Sequence, residues 1–216
     1  ITRRFQRFAG TDAERLADLN DLADSPSLPD IALAVRGGYG AGRLLCDIRY
    51  SALADRLAQH PVALCGHSDF TAIQLALFAQ TGFITYSAPM LAGNFGAEHP
   101  SAFTLQHFRD ILRQKSYTIR WRGNTPENLS LKGTLWGGNL AMLCSLSGSP
   151  WWPVVEQGIL VIEDGNEHPF RVVRMLRHLW HSGILQQQQV VIRGSLRGAT
   201  LYEYASWFIS DTVWKT

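Results

Sequence analysis

The fold is decided by the stretch from Val62 to Ala79, which reads VALCGHSDFTAIQLALFA. Its first residues form a short apolar run that predicts a buried strand, and its last residues carry apolar side chains at helical spacing. Ser68 falls on the turn between these two elements. Such a turn lifts a hydroxyl above the sheet edge, beside the free amides of a helix N-terminus, so Ser68 is a candidate nucleophile.

The local pattern leaves two interpretations of this serine open. Asp69 and Phe70 follow Ser68, so the spacing is not the G-x-S-x-G of the α/β-hydrolases. A serine at this place can equally serve as the N-cap of the helix that follows it. The turn alone therefore does not distinguish a nucleophile from a capping residue.

The composition is that of an ordinary globular protein. The chain has 216 residues, of which 46% are hydrophobic, enough to build a substantial core. Its formal net charge of +2 gives no reason to expect nucleic acid or a membrane surface as a partner. The apolar runs are shorter than the roughly 18 residues of a membrane-spanning segment, and no signal peptide is expected. We therefore expect a cytoplasmic enzyme.

The three cysteines are Cys46, Cys65 and Cys144, and none of them forms a C-x-x-C pair. Neither a disulfide framework nor a zinc site is therefore predicted. We interpret the cysteines as small, buried apolar residues.

Short apolar strands alternate with amphipathic helices in the first part of the chain. Thr11 with Glu14 three residues later is a capping-box pattern and predicts the start of the first helix. The predicted elements are a helix over 12–23, strands over 31–35 and 62–65, and helices over 44–58 and 70–80. Apolar strands of this kind, separated by helices, favour a parallel sheet covered on both faces.

The pattern changes over residues 85–136, which are rich in Gly, Asn, Pro and Trp. The alternating stretch from Tyr117 to Arg122 favours antiparallel sheet there. Farther on, the sequence predicts a helix over 138–146, a strand over 159–162, a helix from Pro169 to Gly183 and a strand over 190–192. The glutamines at 186–189 are interpreted as a loop.

Two carboxylates, Glu163 and Asp164, stand at the end of a predicted strand. A carboxylate in this place can orient a histidine that acts as base to a serine. Asp164 is better explained as a cap of the following helix. His67 adjoins Ser68, but neighbouring side chains on a sharp turn diverge, and His168 is interpreted as a loop residue or a supporting partner.

A glycine-rich turn, RGGYG, covers residues 36–40. Glycine removes side-chain obstruction and tolerates positive φ, so this turn can bring bare backbone amides close to a ligand and complete an oxyanion hole. A plain structural turn explains the same residues. The turn lacks both the G-x-G-x-x-G spacing and the P-loop lysine, so a phosphate site is not predicted.

Four blocks, VRGGYGAGRLL, CGHSDFTAIQLAL, LWGGNLAMLCSLSGSPW and ILVIEDGNEHPFRVVRML, together resemble the LD-carboxypeptidases of murein recycling. This serine peptidase family also contains the microcin-immunity peptidases, and the likeness runs from about Arg4 to about Gly194. It implies an α/β fold with a Rossmann-like parallel sheet in residues 1–115, without the family's first strand. A β-rich α+β domain, incomplete at its end, is expected in residues 116–216. The resemblance further implies a homodimer without metal or cofactor.

The resemblance also assigns the site. It implies that Ser68 is the nucleophile and Glu163 the acid of a Ser-His-Glu triad. The amides of Asp69 and of the Gly37–Gly38 turn match the oxyanion hole. The implied substrate is the murein tetrapeptide L-Ala-γ-D-Glu-meso-Dap-D-Ala, from which D-Ala is released.

Substrate-binding candidates are less specific. Arginine suits bidentate recognition of a carboxylate, which makes Arg36 and Arg171 candidates. Trp136 and Asn139 are candidate lining residues, although a turn leading into a core helix explains them equally.

The sequence departs from the family near its end. The family's catalytic histidine follows a strand in the C-terminal part, whereas no histidine follows His181 here. Two alternatives therefore stand beside the murein enzyme. One is a microcin-immunity-like peptidase that cleaves a peptidyl-nucleotide amide, and the other is a catalytically inert fragment that only binds muropeptide or a partner.

Overall fold

The structure, a computed structural model, describes residues 3–121 and 129–197. The chain divides into two compact units between Leu129 and Ser130, whereas the sequence predicted the boundary after residue 115. Each unit contains a parallel three-stranded sheet with helices, which confirms the α/β class.

The sheet of the first unit has the order β1-β2-β3 with all strands parallel. Its strands are β1 Ile31–Leu33, β2 Ala63–Gly66 and β3 Tyr86–Ser87. Leu33 lies opposite Cys65, and Cys65 lies opposite Tyr86. The central strand is buried through Leu64 and Cys65, because unalternating apolar residues suit a strand covered on both faces.

The described residues of the first unit contain four α-helices, of which the sequence predicted the first three. They are α1 Asp12–Asp24, α2 Tyr50–Gln59, α3 Thr71–Thr81 and α4 Ala102–Arg113. The capping box is confirmed, since the Thr11 hydroxyl accepts from the Glu14 amide and the Glu14 carboxylate accepts from the Thr11 amide. Helix α3 is buried throughout residues 71–77, as its apolar sequence predicts. It ends at Gly82 in the left-handed region, a common helix stop.

The prediction of antiparallel sheet over 85–136 is wrong for the described part of that range. Strand β3 pairs in parallel, and α4 occupies residues that the sequence did not assign to a helix. Ser101 caps α4 by accepting from the Thr104 amide, and Phe108 on its inner face is buried. Residues 117–121 form no strand, and Arg122 lies outside the described residues.

The second unit has the order β4-β5-β6, again with all strands parallel. The strands are β4 Leu135–Asn139, β5 Ile159–Gly165 and β6 Val190–Arg197, and the helices are α5 Leu140–Leu146 and α6 Pro169–His181. Leu160 and Ile162 on β5 are fully buried, and Leu140 and Leu179 pack the two helices into one apolar cluster. The block expected to be a turn into a helix is thus a strand that runs directly into α5.

The glutamine run is more ordered than the predicted loop. A 3₁₀-helix covers Leu185–Gln187. The Gln188 amide nitrogen donates to the Val155 carbonyl at 2.8 Å, and its oxygen accepts from the Trp136 indole at 2.9 Å. The run therefore ties the connection before β5 to β4.

The cysteines differ in burial. Cys65 is buried, as predicted, whereas Cys144 is half-buried and Cys46 is exposed. Cys46 lies on the short 3₁₀-helix Leu45–Asp47, whose buried contact is made by Leu45. Over the described ranges, no helix combines the length and the apolar character that crossing a membrane requires.

Candidate active site

Ser68 follows the end of β2 and begins the 3₁₀-helix Ser68–Phe70, which leads into α3. Its φ of 60° lies in the left-handed region, which costs a residue with a Cβ roughly 1–2 kcal/mol. The N-caps of the 3₁₀-helix and of α3 are His67 and Phe70, so Ser68 caps neither helix. Backbone strain at a strand-to-helix turn is typical of a nucleophile.

The glycine turn lies directly against this serine. A Cβ placed on Gly37 would lie 2.7 Å from the Ser68 Cβ, 2.8 Å from its Oγ and 3.5 Å from the Asp69 amide nitrogen. Gly38 has a φ of 128°, which residues with a side chain rarely adopt. The structure thus brings Ser68, Asp69 and Gly37 together.

His67 is anchored to the chain that follows β3. Its Nδ1 lies 2.9 Å from the Ala88 carbonyl oxygen, and the Ala88 amide donates to the Gly66 carbonyl at 3.0 Å. Because a carbonyl oxygen only accepts, Nδ1 carries the proton in this bond. The hydrogen bond of His67 to Ala88 therefore fixes the turn before Ser68.

Glu163 lies in the last part of β5, opposite Asn139 of β4. The register between β5 and β6 shifts between Ile162 and Asp164, so a bulge lies beside Glu163. A Cβ on Gly194 of β6 would lie 3.1 Å from the Glu163 Cβ. The bulge and the missing side chain make room for the half-buried glutamate, a use of bulges that is common near functional sites.

Asp164 has a structural role that the sequence prediction misplaced. It is buried, with 5% exposure, and its Oδ2 accepts from the Ala141 amide at 3.0 Å. It thus caps α5, which precedes it, and the prediction that it caps the following helix is wrong. Burial raises its pKa, while the hydrogen bonds from Ala141 and from the Asn139 side chain partly oppose that rise.

The N-cap of α6 is His168, without a side-chain capping bond, and a proline follows it at the first helical position. Asn166 has a φ of 67° and forms the turn before it. His168 is half-buried, so the interpretation as a loop or supporting residue fits its place.

The substrate-binding candidates lie in different surroundings. Arg36 is exposed, and its guanidinium runs past Gly38, 3.6 Å from a Cβ placed there. Asn139 is buried and caps α5 by accepting from the Met142 amide at 3.1 Å. Arg171 is exposed and paired with Glu167.

Trp136 is buried inside the second unit. Its indole nitrogen donates to Gln188, and its ring meets Trp152 edge to face with centroids 5.5 Å apart. These contacts show that the ring packs the core beneath the strand that ends at Asn139.

Sequence reasoning missed the Asp69 carboxylate as a hydrogen-bond acceptor and assigned Asp164 to the wrong helix. The Asp69 Oδ2 accepts from the Ala41 amide at 2.8 Å, a bond of the same kind as that of Asp164. The available signal was that each aspartate directly follows a candidate catalytic residue. Within residues 3–121 and 129–197, no group of three or more His, Cys, Asp or Glu side chains is arranged to hold a metal ion.

Both units match models of one family. Residues 1–88 match the LD-carboxypeptidase N-terminal domain, and residues 132–214 match the LD-carboxypeptidase C-terminal domain. The chain belongs to the LD-carboxypeptidase family.

Curated relatives carry two kinds of name. The chain is 31% identical over 180 residues to a Bacillus subtilis protein named "Probable murein peptide carboxypeptidase", covering 82% of this chain and 55% of that protein. It is 30% identical over 217 residues to the microcin C7 self-immunity protein MccF of Escherichia coli, covering 86% of this chain and 61% of that protein. The chain thus spans less than two thirds of the length of either relative.

The solved structures that resemble this chain carry the same two kinds of name. A muramoyltetrapeptide carboxypeptidase from Oxalobacter formigenes is 37% identical with a TM-score of 0.89, covering 98% of this chain and 70% of that one. MccF in complex with glutamyl sulfamoyl guanosine is 26% identical with a TM-score of 0.81, covering 99% and 71%.

Proposed function

We propose that the protein is a serine carboxypeptidase that hydrolyses the L,D bond of murein tetrapeptide and releases its terminal D-Ala in peptidoglycan recycling. One observation carries the proposal. Ser68 stands on a strained turn with φ 60°, and the bare backbone of Gly37 lies against its hydroxyl. A nucleophile beside exposed amides is what acyl transfer requires. The likeness to the named carboxypeptidases supports this reaction over other acyl transfers.

The proposed reaction begins with attack of the Ser68 Oγ on the carbonyl carbon of the meso-Dap residue. A histidine takes the serine proton and then gives it to the D-Ala amine as the peptide bond breaks. The amides of Asp69 and of the Gly37–Gly38 turn hold the oxyanion of the tetrahedral intermediate. Water then attacks the acyl-enzyme and releases the tripeptide.

Glu163 is proposed to hold that histidine. A carboxylate that accepts from one imidazole nitrogen fixes the tautomer that can act as base and stabilises the imidazolium ion. Gly194 and the bulge leave space beside Glu163, which supports this role. The carboxylate needs that space to turn toward a histidine that does not belong to the β5–β6 pairing.

Selection of an L,D bond requires contacts to charged groups of the substrate. We assign the exposed Arg36, next to the glycine turn, to the free carboxylate of D-Ala. Asn139, which lies opposite Glu163, is proposed to line the pocket, and Trp136 to support the strand that carries Asn139.

The test is release of D-Ala from purified L-Ala-γ-D-Glu-meso-Dap-D-Ala by this chain, with Ser68→Ala as the blank. We expect release that depends on Ser68. Absence of release, with tetrapeptide binding retained in calorimetry, would overturn catalysis and support the inert alternative.

A second candidate function is supported by the likeness to MccF. In this alternative the same serine cleaves the amide bond of a peptidyl nucleotide. The discriminating substrate is an aminoacyl sulfamoyl nucleotide of the kind bound in the MccF structures, for example glutamyl sulfamoyl guanosine. A higher kcat/KM for this compound than for the tetrapeptide would favour a microcin-immunity-like peptidase.

We further propose a cytoplasmic homodimer that needs no metal or cofactor. Light scattering on the purified chain tests the oligomeric state, and a mass of one chain at all concentrations would contradict the dimer. Activity retained after treatment with a strong chelator tests the absence of a metal.

A further inference from the structure

The carboxylate of Asp69 reaches across to the end of the glycine turn. Its Oδ2 accepts the Ala41 amide at 2.8 Å, and Ala41 is the first residue of the 3₁₀-helix Ala41–Arg43. The two residues are 28 positions apart in the sequence. A charged acceptor makes such a bond stronger than a neutral one. An acidic residue at the start of α3 is favoured by the helix dipole alone, but that preference does not explain a bond to another segment.

The turn between β1 and Ala41 needs to be held at both ends. At its start, the Ala34 amide donates to the Cys65 carbonyl at 2.8 Å and continues the β1–β2 ladder. At its end, Gly40 has a φ of 106°, so the chain there is free to take conformations that other residues avoid. The bond to Asp69 fixes this second end.

Gly37, between the two ends, contacts Ser68. Since Asp69 directly follows Ser68, the bond to Ala41 links the turn of the nucleophile to the loop that lies on it. Loss of this link would let the loop move away from the hydroxyl without disturbing the sheet.

We propose that the Asp69 carboxylate is a positioning residue that holds the Gly37–Gly38 backbone against Ser68. The inference deepens the proposed function and rests on it for its catalytic consequence. In this arrangement the main-chain amide of Asp69 supplies one donor to the oxyanion, and its side chain keeps the other donor in place. Preorganised donors lower the barrier only while they stay aimed at the developing charge.

The contact is tested first without any substrate, by hydrogen–deuterium exchange measured by NMR. Asp69→Ala is expected to speed exchange at the Ala41 amide by about tenfold or more. The amide then reaches solvent without first breaking its hydrogen bond to the Asp69 carboxylate. Amides of α2, such as that of Leu57, keep their rates. Asp69→Asn, whose side-chain oxygen still accepts, restores most of the protection. The matched control is Asp55→Asn, an exposed aspartate on α2. Unchanged exchange at Ala41 in Asp69→Ala would overturn the inference.

The catalytic consequence is tested by D-Ala release. For Asp69→Ala we expect kcat to fall about 10- to 100-fold with KM within about twofold, and Asp69→Asn to recover most of the loss. Faster exchange at Ala41 with an unchanged kcat would refute the positioning role. If the unmodified chain releases no D-Ala, the proposed function fails, and the exchange measurement still decides whether Asp69 holds the loop.

Discussion

The two units fix their candidate catalytic residues in related ways. Each has a parallel three-stranded sheet in chain order, with the candidate residue at the carboxyl end of the central strand. Ser68 follows β2, and Glu163 lies on β5. An aspartate comes next in both cases, Asp69 and Asp164.

Both aspartates accept from an alanine at the start of the helix that follows the neighbouring edge strand. The bonds are Asp69 to Ala41 at 2.8 Å and Asp164 to Ala141 at 3.0 Å. In a parallel sheet the carboxyl ends of adjacent strands meet at one edge, so a residue just after the central strand reaches the next helix start. The same topology therefore produces the same link twice.

The units differ in how the candidate residue itself is presented. Ser68 leaves the ladder on a strained turn, whereas Glu163 stays in the ladder and gains room from a bulge. Asp164 is buried, and Asp69 is half-buried. The position of Ser68 thus depends on local backbone strain and on the glycine turn. The position of Glu163 depends instead on the register of the sheet.

The largest effect is expected from removing the two candidate residues. Ser68→Ala should lower kcat for D-Ala release by about 10⁴-fold or more, and Glu163→Ala by about 10³- to 10⁴-fold, because triad members act as a unit. Both proteins should remain folded, with thermal midpoints within about 4 °C of the unmodified chain. Full activity in Ser68→Ala would refute the mechanism.

The next prediction compares a glycine-to-alanine substitution in each unit, Gly37→Ala in the first and Gly137→Ala in the second. A Cβ on Gly37 meets the Ser68 side chain, whereas a Cβ on Gly137 would lie 2.1 Å from the Val161 carbonyl oxygen at a φ of 114°. Gly37→Ala should therefore lower activity about 100-fold and lower the free energy of unfolding less than Gly137→Ala does, because the clash is with a side chain. Gly137→Ala should lower the free energy of unfolding by about 3 kcal/mol, since backbone must move. Urea denaturation beside the D-Ala assay measures both, and equal destabilisation by the two changes would contradict the contrast.

How far the sequence predicted these features depends on the distance between the interacting residues. The strand and helix around Ser68 were predicted nearly to the residue, because periodicity and the turn are local signals. The placement of the Gly37–Gly38 turn beside Ser68 was implied by the family resemblance, and the structure has Gly37 against the Ser68 side chain. Helix α4 was missed because Gly, Asn and Pro before Ser101 masked its cap.

The aspartate links could not be predicted in the same way. Asp164 was assigned to the nearest helix in sequence, α6, whereas the sheet brings it to α5. That choice depends on the β4–β5 register, which pairs Asn139 with Glu163 and is a long-range property. The bulge at Glu163 likewise depends on Gly194, whose position relative to the glutamate only the folded sheet defines.

A smaller effect is expected on the pH dependence of stability. Burial raises the pKa of Asp164 above its ordinary value of 3.8. A raised pKa means that the folded state favours the protonated form. The contribution of Asp164 to the free energy of unfolding is therefore fully present below pH 3.8. It is lost as the pH rises through the folded-state pKa of this carboxyl. Relative to Asp164→Asn, the unmodified chain should lose free energy of unfolding as the pH rises from 3.8 through the folded-state pKa of Asp164.

Urea denaturation of both proteins across this range measures the difference. The control is Asp55→Asn, which replaces an exposed aspartate of α2. A difference that grows in favour of the unmodified chain as the pH rises would contradict the assignment of the raised pKa to burial.

Thiol labelling tests the packing of the two units without any change of sequence. Burial raises the pKa of Cys65 in the first unit to about 11 and that of Cys144 in the second to about 12. Iodoacetamide at about pH 8 should label the exposed Cys46 at least ~100-fold faster than the other two, because the thiolate is the reactive form. Timed labelling followed by peptide mass spectrometry measures the three rates. Cys144 labelled as fast as Cys46 would show that the second unit opens locally where the first does not, since protection of a buried thiol requires its packing to stay closed.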